Sequence, residues 1–280
     1  MVGIVGGKGA GKTVYTAVLH HELRTQVRRR FQADIHLVGD QQGGAGSALQ
    51  WLQLNEDQVF VDGKLFETTA AAQGGVRAPV VIEWRQPRTR LGRTTYDTTV
   101  LSFYDAAGED MMSHDSVNVQ AYLGVASGLI LLLDPFQLPG ARGRLTVPDE
   151  VIKEAAPPFD VLTAITEMLR RTHQVKARRK IGVPLAVVFA KIDEFFPLLG
   201  GDHPLLAAPR PSPGTYDEPG GQATHEHVKA MLHEYQADDI DIHLDTQYST
   251  FRYFAVSALG APPDHRTKVV DARGGAAVPG

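Results

Sequence analysis

Apolar and polar positions along the chain alternate between two rhythms. Met1 to Val5 is a short apolar stretch with β-branched residues, the pattern of a buried strand. KTVYTAVLHHELRTQVRRR (residues 12–30) follows with helical spacing, Val14, Val18 and Leu19 on one side and charges on the other. Strand, glycine loop and helix thus form the first unit. DIHLVGD (34–40) predicts another strand, QQGGAGSALQWLQLNED (41–57) a glycine-rich loop with a short helix, and KLFETTAAAQGG (64–75) a loop. APVVIEWRQP (78–87) and DTTVLSFYDAAGED (97–110) are strand patterns joined by an arginine-rich polar connection from Pro87 to Tyr96, which predicts a β-hairpin. SGLILLLDP (127–135) is an unbroken apolar run, as expected of a strand covered on both faces. FDVLTAITEMLRRTHQV (159–175) predicts a helix, IGVPLAVVFAKIDEF (181–195) a second fully buried strand, HEHVKAMLHEYQ (225–236) a helix and FRYFAVSALG (251–260) a last strand. Buried strands alternating with helices specify an α/β fold with a mainly parallel sheet. One domain over residues 1–260 is expected. Residues 196–223, rich in proline and glycine, read as an irregular insertion, and residues 261–280 as a flexible C-terminal tail.

Composition narrows the function classes. A chain of 280 residues with a net charge of −4 and a pI near 6.3 is not the basic chain of a dedicated nucleic-acid binder, so no nucleic-acid partner is expected. The basic runs Arg24–Arg30 and Arg170–Lys180 read as cationic ends of amphipathic helices, where positive charge suits the helix dipole. The absence of cysteine removes disulfides, zinc ribbons and thiol catalysis together and fits a reducing compartment. No apolar run reaches the roughly 18 residues of a membrane span, and the N-terminal apolar stretch breaks at Gly6 and Gly7, unlike a signal peptide. A cytoplasmic protein without a transmembrane segment is the expectation. His225, His227 and His233 share one predicted helix, but His225 and His227 point to different faces of it and no matching carboxylate cluster is evident, so these histidines predict no metal site.

The chemistry concentrates at strand ends. Gly6-Gly7-Lys8-Gly9-Ala10-Gly11-Lys12-Thr13 fits G-x-x-x-x-G-K-[ST], and Val14 continues it into the first helix. Glycines let successive amides converge on phosphate oxygens with no Cβ in the way, and the helix N-terminus adds its partial positive charge. Lys12 would bridge the β- and γ-phosphates, and the Thr13 hydroxyl would bind Mg²⁺. YDAAGE (104–109) ends a strand in D-x-x-G. Asp105 can hold Mg²⁺ through water, and the Gly108 amide can reach a γ-phosphate, which makes that loop sensitive to hydrolysis. AKID (190–193) closes a buried strand with K-x-D: the Asp193 carboxylate can accept from the N1 and N2 hydrogens of guanine while the Lys191 stem packs along the ring. In SAL (257–259), at the end of the last strand, a backbone amide from Ser257, Ala258 or Leu259 can meet the guanine O6. All four motifs lie at strand C-termini, the edge at which open α/β sheets bind ligands.

In these motifs and their order the sequence resembles the translation-factor-class (TRAFAC) P-loop GTPases, particularly the Ras-like branch, over roughly residues 1 to 260. The narrower likeness is to bacterial regulatory GTPases of the double-GTPase type. The resemblance implies a three-layer α/β/α P-loop NTPase fold, small GTPase-like, with one antiparallel strand in the hairpin. It implies GTP and GDP as ligands, Mg²⁺ as cofactor and a protein effector or activating partner. Switch I would lie between the first helix and VVIEW, with its Mg²⁺-binding threonine at Thr69 or Thr68, Thr69 preferred. Switch II would run from Gly108 to about Ser116, including Glu109, Asp110 and His114.

The sequence also departs from that family. Glu109 stands where many members carry a water-orienting glutamine. An ionised glutamate can only accept and brings negative charge toward the transition state, so slow unaided turnover is expected, with a partner's arginine worth roughly 10³ to 10⁵ in rate. Arg85, Arg88, Arg90 and Arg93 are alternatives in cis, although an exposed hairpin with solvated arginines is the simpler expectation. Lys8 is either an extra cation for the γ-phosphate or an obstacle to an incoming arginine. Ala190 replaces the asparagine that usually begins N-K-x-D, leaving Asp193 as the main base discriminator. The Ras-like fold normally finishes with a helix after the SAL loop, and the residues that follow here do not read as one: either the chain is shortened or another protein covers that face, and exposed apolar sheet surface would favour self-association. Two other functions remain open on these residues: a P-loop ATPase in which AKID is coincidental, and a nucleotide-binding pseudo-GTPase that serves as a partner-binding module.

Overall fold

A computed structural model describes residues 1–38, 48–65, 80–103, 117–141, 143–154, 156–206, 216–267 and 269. The apolar runs become a seven-stranded sheet: β1 (Val2–Gly6), β2 (Asp34–Val38), β3 (Val80–Arg90), β4 (Arg93–Phe103), β5 (Gly128–Leu133), β6 (Leu185–Phe189) and β7 (Phe251–Ala255). Their spatial order is β2-β3-β4-β1-β5-β6-β7. β1 pairs in parallel with β4 and β5, and β5–β6 and β6–β7 are also parallel, whereas β3 is antiparallel to both neighbours. β3 therefore runs alone against the other six strands. The expected mixed α/β fold with a mostly parallel sheet is observed.

The side-chain alternation of strands sorts the core onto two faces. Val5, Leu131, Val187 and Tyr253 point to one face. There they meet Val161, Leu162, Ile165 and Leu169 of α6 (Pro158–Thr172), together with Val228 of α7 (Glu218–Glu234) and Leu244 of α8 (Asp238–Gln247). Ile4, Leu132 and Val188 point to the opposite face, against Leu52 of α3 (Ala48–Phe60) and Leu23, which continues α1 (Lys12–Glu22) through a π-helical turn (Leu23–Val27) into α2 (Arg28–Phe31). Helices thus lie on both sides of the sheet. Two shorter helices, α4 (Val117–Gly124) and α5 (Asp149–Glu154), complete the set. Among the described residues no helix is long and apolar enough to cross a membrane.

Several sequence expectations are corrected. Pro87–Tyr96 is not a connection: β3 and β4 run through it to a two-residue turn at Leu91 and Gly92, whose φ values of 51° and 76° are those of a type I′ hairpin. β6 ends at Phe189, so AKIDEF leaves the strand, and a 3₁₀ helix (Ile192–Leu198) follows. α7 begins at Glu218, within the stretch read as an irregular insertion. After β7 the described residues form no helix, as expected.

Candidate functional site

The C-terminal ends of β1, β5, β6 and β7 converge on one region of the sheet edge. β1 delivers the chain into the glycine loop at Gly6, which lies so close to β5 that an added Cβ would approach the Leu132 carbonyl oxygen to 2.6 Å. The loop closes at Gly11, the N-cap of α1, in the left-handed conformation (φ 77°, ψ 20°) that glycine adopts without strain. Lys12 opens the helix. Its side chain turns back over the loop, where Nζ donates to the carbonyls of Gly6 and Gly7, each at 2.9 Å, and it is only 8% exposed. The Ala10 amide donates to the Gly7 carbonyl at 3.4 Å, and the Lys8 carbonyl accepts from Ala156 across the loop at 3.2 Å. Gly9 also has positive φ (76°), so the loop turns twice through a conformation that favours glycine.

Beside this loop lies a cavity of about 140 Å³. Gly11, Val14 and Tyr15 form the wall from α1, Ala190, Lys191, Asp193 and Glu194 the wall after β6, and Val256, Ala258 and Leu259 the wall after β7. Burial pushes the Tyr15 phenol up to about 12, so it stays neutral. Lys191 is in the left-handed conformation (φ 56°). Its Nζ donates to Asp134 Oδ2 at 2.6 Å and sits 4.6 Å from the centre of the Phe136 ring. Its Cε is 3.8 Å from the point a Cβ on Gly11 would occupy, so the lysine stem spans from the sheet edge to the glycine loop. Asp193 is 3% exposed. Burial raises its pKa above the ordinary 3.8, opposed by a hydrogen bond from Ser257 and by the charges of Lys191 and His265. Ser257 Oγ also accepts from the Gly260 amide at 2.7 Å, so this hydroxyl fixes both the last loop and Asp193.

The structure thus brings together Gly6, Gly7, Lys8, Gly9, Ala10, Gly11, Lys12, Thr13 and Val14 on one side, and Lys191, Asp193, Ser257, Ala258 and Leu259 on the other. Asp105, Gly108 and Glu109, the two switch I threonines Thr68 and Thr69, and Asp110 and His114 lie outside the described residues. β4, which ends at Phe103, runs beside β1. The hairpin arginines are on an arm extending beyond the sheet: Arg88 pairs with Asp97 and Arg85 with Glu83, each at 2.6 Å, and the tip residue Leu91 is 98% exposed. The helical histidines have partners of their own: His225 Nδ1 accepts from the Tyr253 amide at 3.0 Å, and His233 Nδ1 donates to Asp238 at 2.7 Å.

Several residues of the site escaped the sequence reading, Asp134, Glu194, Leu65 and His265 among them. Asp134 ends the apolar run LLLDP at the same sheet edge as the motifs, and that placement was its available signal. Glu194 adjoins Asp193. Leu65 and His265 come from distant segments with no local pattern to mark them. At the level of class, this is a mixed α/β protein with a glycine-loop cleft at the carboxyl edge of a mostly parallel sheet. No protein-family model matches the chain, and no curated protein matches it.

Proposed function

We propose that this chain is a guanine-nucleotide switch of the Ras-like P-loop GTPase type, binding GTP and GDP with Mg²⁺ and hydrolysing GTP slowly. The carrying observation is that one cavity has the first turn of α1 as one wall and the K-x-D loop as another. A nucleotide with its phosphates at the glycine loop has its base beside Asp193. In that arrangement Lys12, now turned onto two loop carbonyls, exchanges them for phosphate oxygens. The mostly apolar walls suit a flat base, and the buried carboxylate suits the adjacent N1 and N2 donors of guanine, which adenine lacks. The Lys191–Asp134 pair holds the lysine stem along the cavity between Gly11 and the base loop.

The Thr13 hydroxyl, Asp105 and, from switch I, Thr69 would supply oxygen donors of the kind a hard cation takes, and Mg²⁺ would neutralise phosphate charge there. Among these three only Thr13 is described, at the first turn of α1. Bound GTP orders two loops that hydrolysis releases, and a partner protein reads the difference. Competition titration of the purified protein tests this. GTP or GDP displaces a fluorescent guanine nucleotide and ATP does not; equal displacement by ATP would instead favour the ATPase reading. Phosphate release under single-turnover conditions is slow, because Glu109 supplies no donor to the γ-phosphate. A rate matching that of a partner-stimulated enzyme would contradict this.

A further inference from the structure

The C-terminal segment does not leave the molecule at β7. From Gly260, in the left-handed conformation (φ 79°), it returns to the cavity, where Pro263 and His265 join the lining. It is anchored on both sides. On the base-loop side His265 Nε2 meets Glu194 Oε1 at 2.6 Å, with both side chains largely buried. On the far side Val269 forms an antiparallel bridge with Lys64, and Leu65, the next residue, also lines the cavity. Between the anchors the turn is braced locally: Asp264 Oδ1 accepts from the amides of Arg266 (2.8 Å) and Thr267 (3.2 Å), and the Asp264 amide donates to the Val269 carbonyl at 3.0 Å.

We propose that this segment is a ligand-holding strap: it covers a purine whose edge Asp193 reads, and His265, locked to Glu194, is the positioning residue that sets how long the nucleotide stays. The proposal rests on the purine reading above. Pro263, His265 and Leu65 supply a wall that neither the glycine loop nor the K-x-D loop provides, and both anchors must hold for that wall to stand. Because the strap contacts the base it covers, loosening it acts chiefly on release, the step in which most affinity changes at one interface appear.

The test combines hydrogen exchange and release kinetics on the full chain. In the wild-type protein, saturating GDP slows amide exchange in residues 261–267. His265→Ala and Glu194→Gln each raise the release rate of a fluorescent GDP analogue roughly tenfold, as expected for loss of a hydrogen bond to a charged group, with little change in association rate. The double variant releases no faster than the faster single one, because both changes break one latch. GDP binding that protects the Asp193 loop but leaves exchange at 261–267 and all release rates unchanged overturns the strap alone. Failure of the wild-type protein to bind any purine nucleotide overturns the strap together with the switch reading beneath it.

Discussion

Asp193 and Lys191 are two residues apart and solve opposite problems. The carboxyl is buried where its charge is costly, and the ammonium reaches back to Asp134 and spans the cavity wall. Because burial raises the Asp193 pKa, it takes up a proton at a higher pH than an ordinary aspartate near 3.8. A protonated carboxyl no longer offers guanine two acceptors, so guanine-nucleotide affinity falls on acidification before the pH reaches the ordinary aspartate range. The folding linkage has the opposite sign. A carboxyl whose folded pKa is raised contributes stability that is fully present below its unfolded value and is lost as pH rises through the folded one. Acid loss of binding through Asp193 is therefore not acid unfolding through Asp193. Titrations of GDP across mildly acidic pH, with circular dichroism recorded alongside, check this; affinity flat down to the ordinary aspartate range contradicts it. At this scale the sequence was most legible where chemistry is local. The lysine, glycines and aspartate of two short motifs are fixed by spacing alone, whereas the hydroxyl contact of Ser257 with Asp193 had no signal in the spacing.

Among the elements, α1 and α3 are joined by a polar contact that no motif announces. Glu56 of α3 accepts from Nδ1 of both His20 and His21 of α1, each at 2.8 Å, and His20 is fully buried. Burial pushes the Glu56 carboxyl up, but the bonds from His21 and His20 outweigh it and leave it below its ordinary value. Burial lowers the His20 pKa, so its ring stays neutral. Glu56→Ala leaves a buried ring nitrogen without its acceptor and should cost about 2 kcal/mol, read as a lower urea midpoint at unchanged slope. An unchanged midpoint would show that the contact contributes nothing net. The hairpin shows why element boundaries were harder to read than element types. Arg85–Thr99 carries arginine, threonine and tyrosine on an arm exposed from Arg88 to Val100, so no apolar alternation marks it as strand. By contrast, the central strands β5 and β6 were legible from their unbroken apolar runs.

Across the whole molecule, the order β1-β5-β6-β7 places four carboxyl strand ends side by side, and the ligand-facing loops follow from that order. The sequence implied the parallel sheet because buried runs alternate with helical periods. It did not mark the return of residues 261–267 to the cavity, since that path depends on one ion pair and one backbone bridge between distant segments. The same geometry gives the central claim its sharpest test. Xanthine carries a carbonyl where guanine carries the N2 amine, so Asp193→Asn should exchange one base for the other. Equilibrium titration of the variant with guanosine and xanthosine diphosphates is the measurement. The account predicts that GDP affinity falls by at least about tenfold and XDP affinity rises above it; a variant that still binds GDP as the wild type does, with no gain for XDP, would contradict Asp193 as the reader of the base.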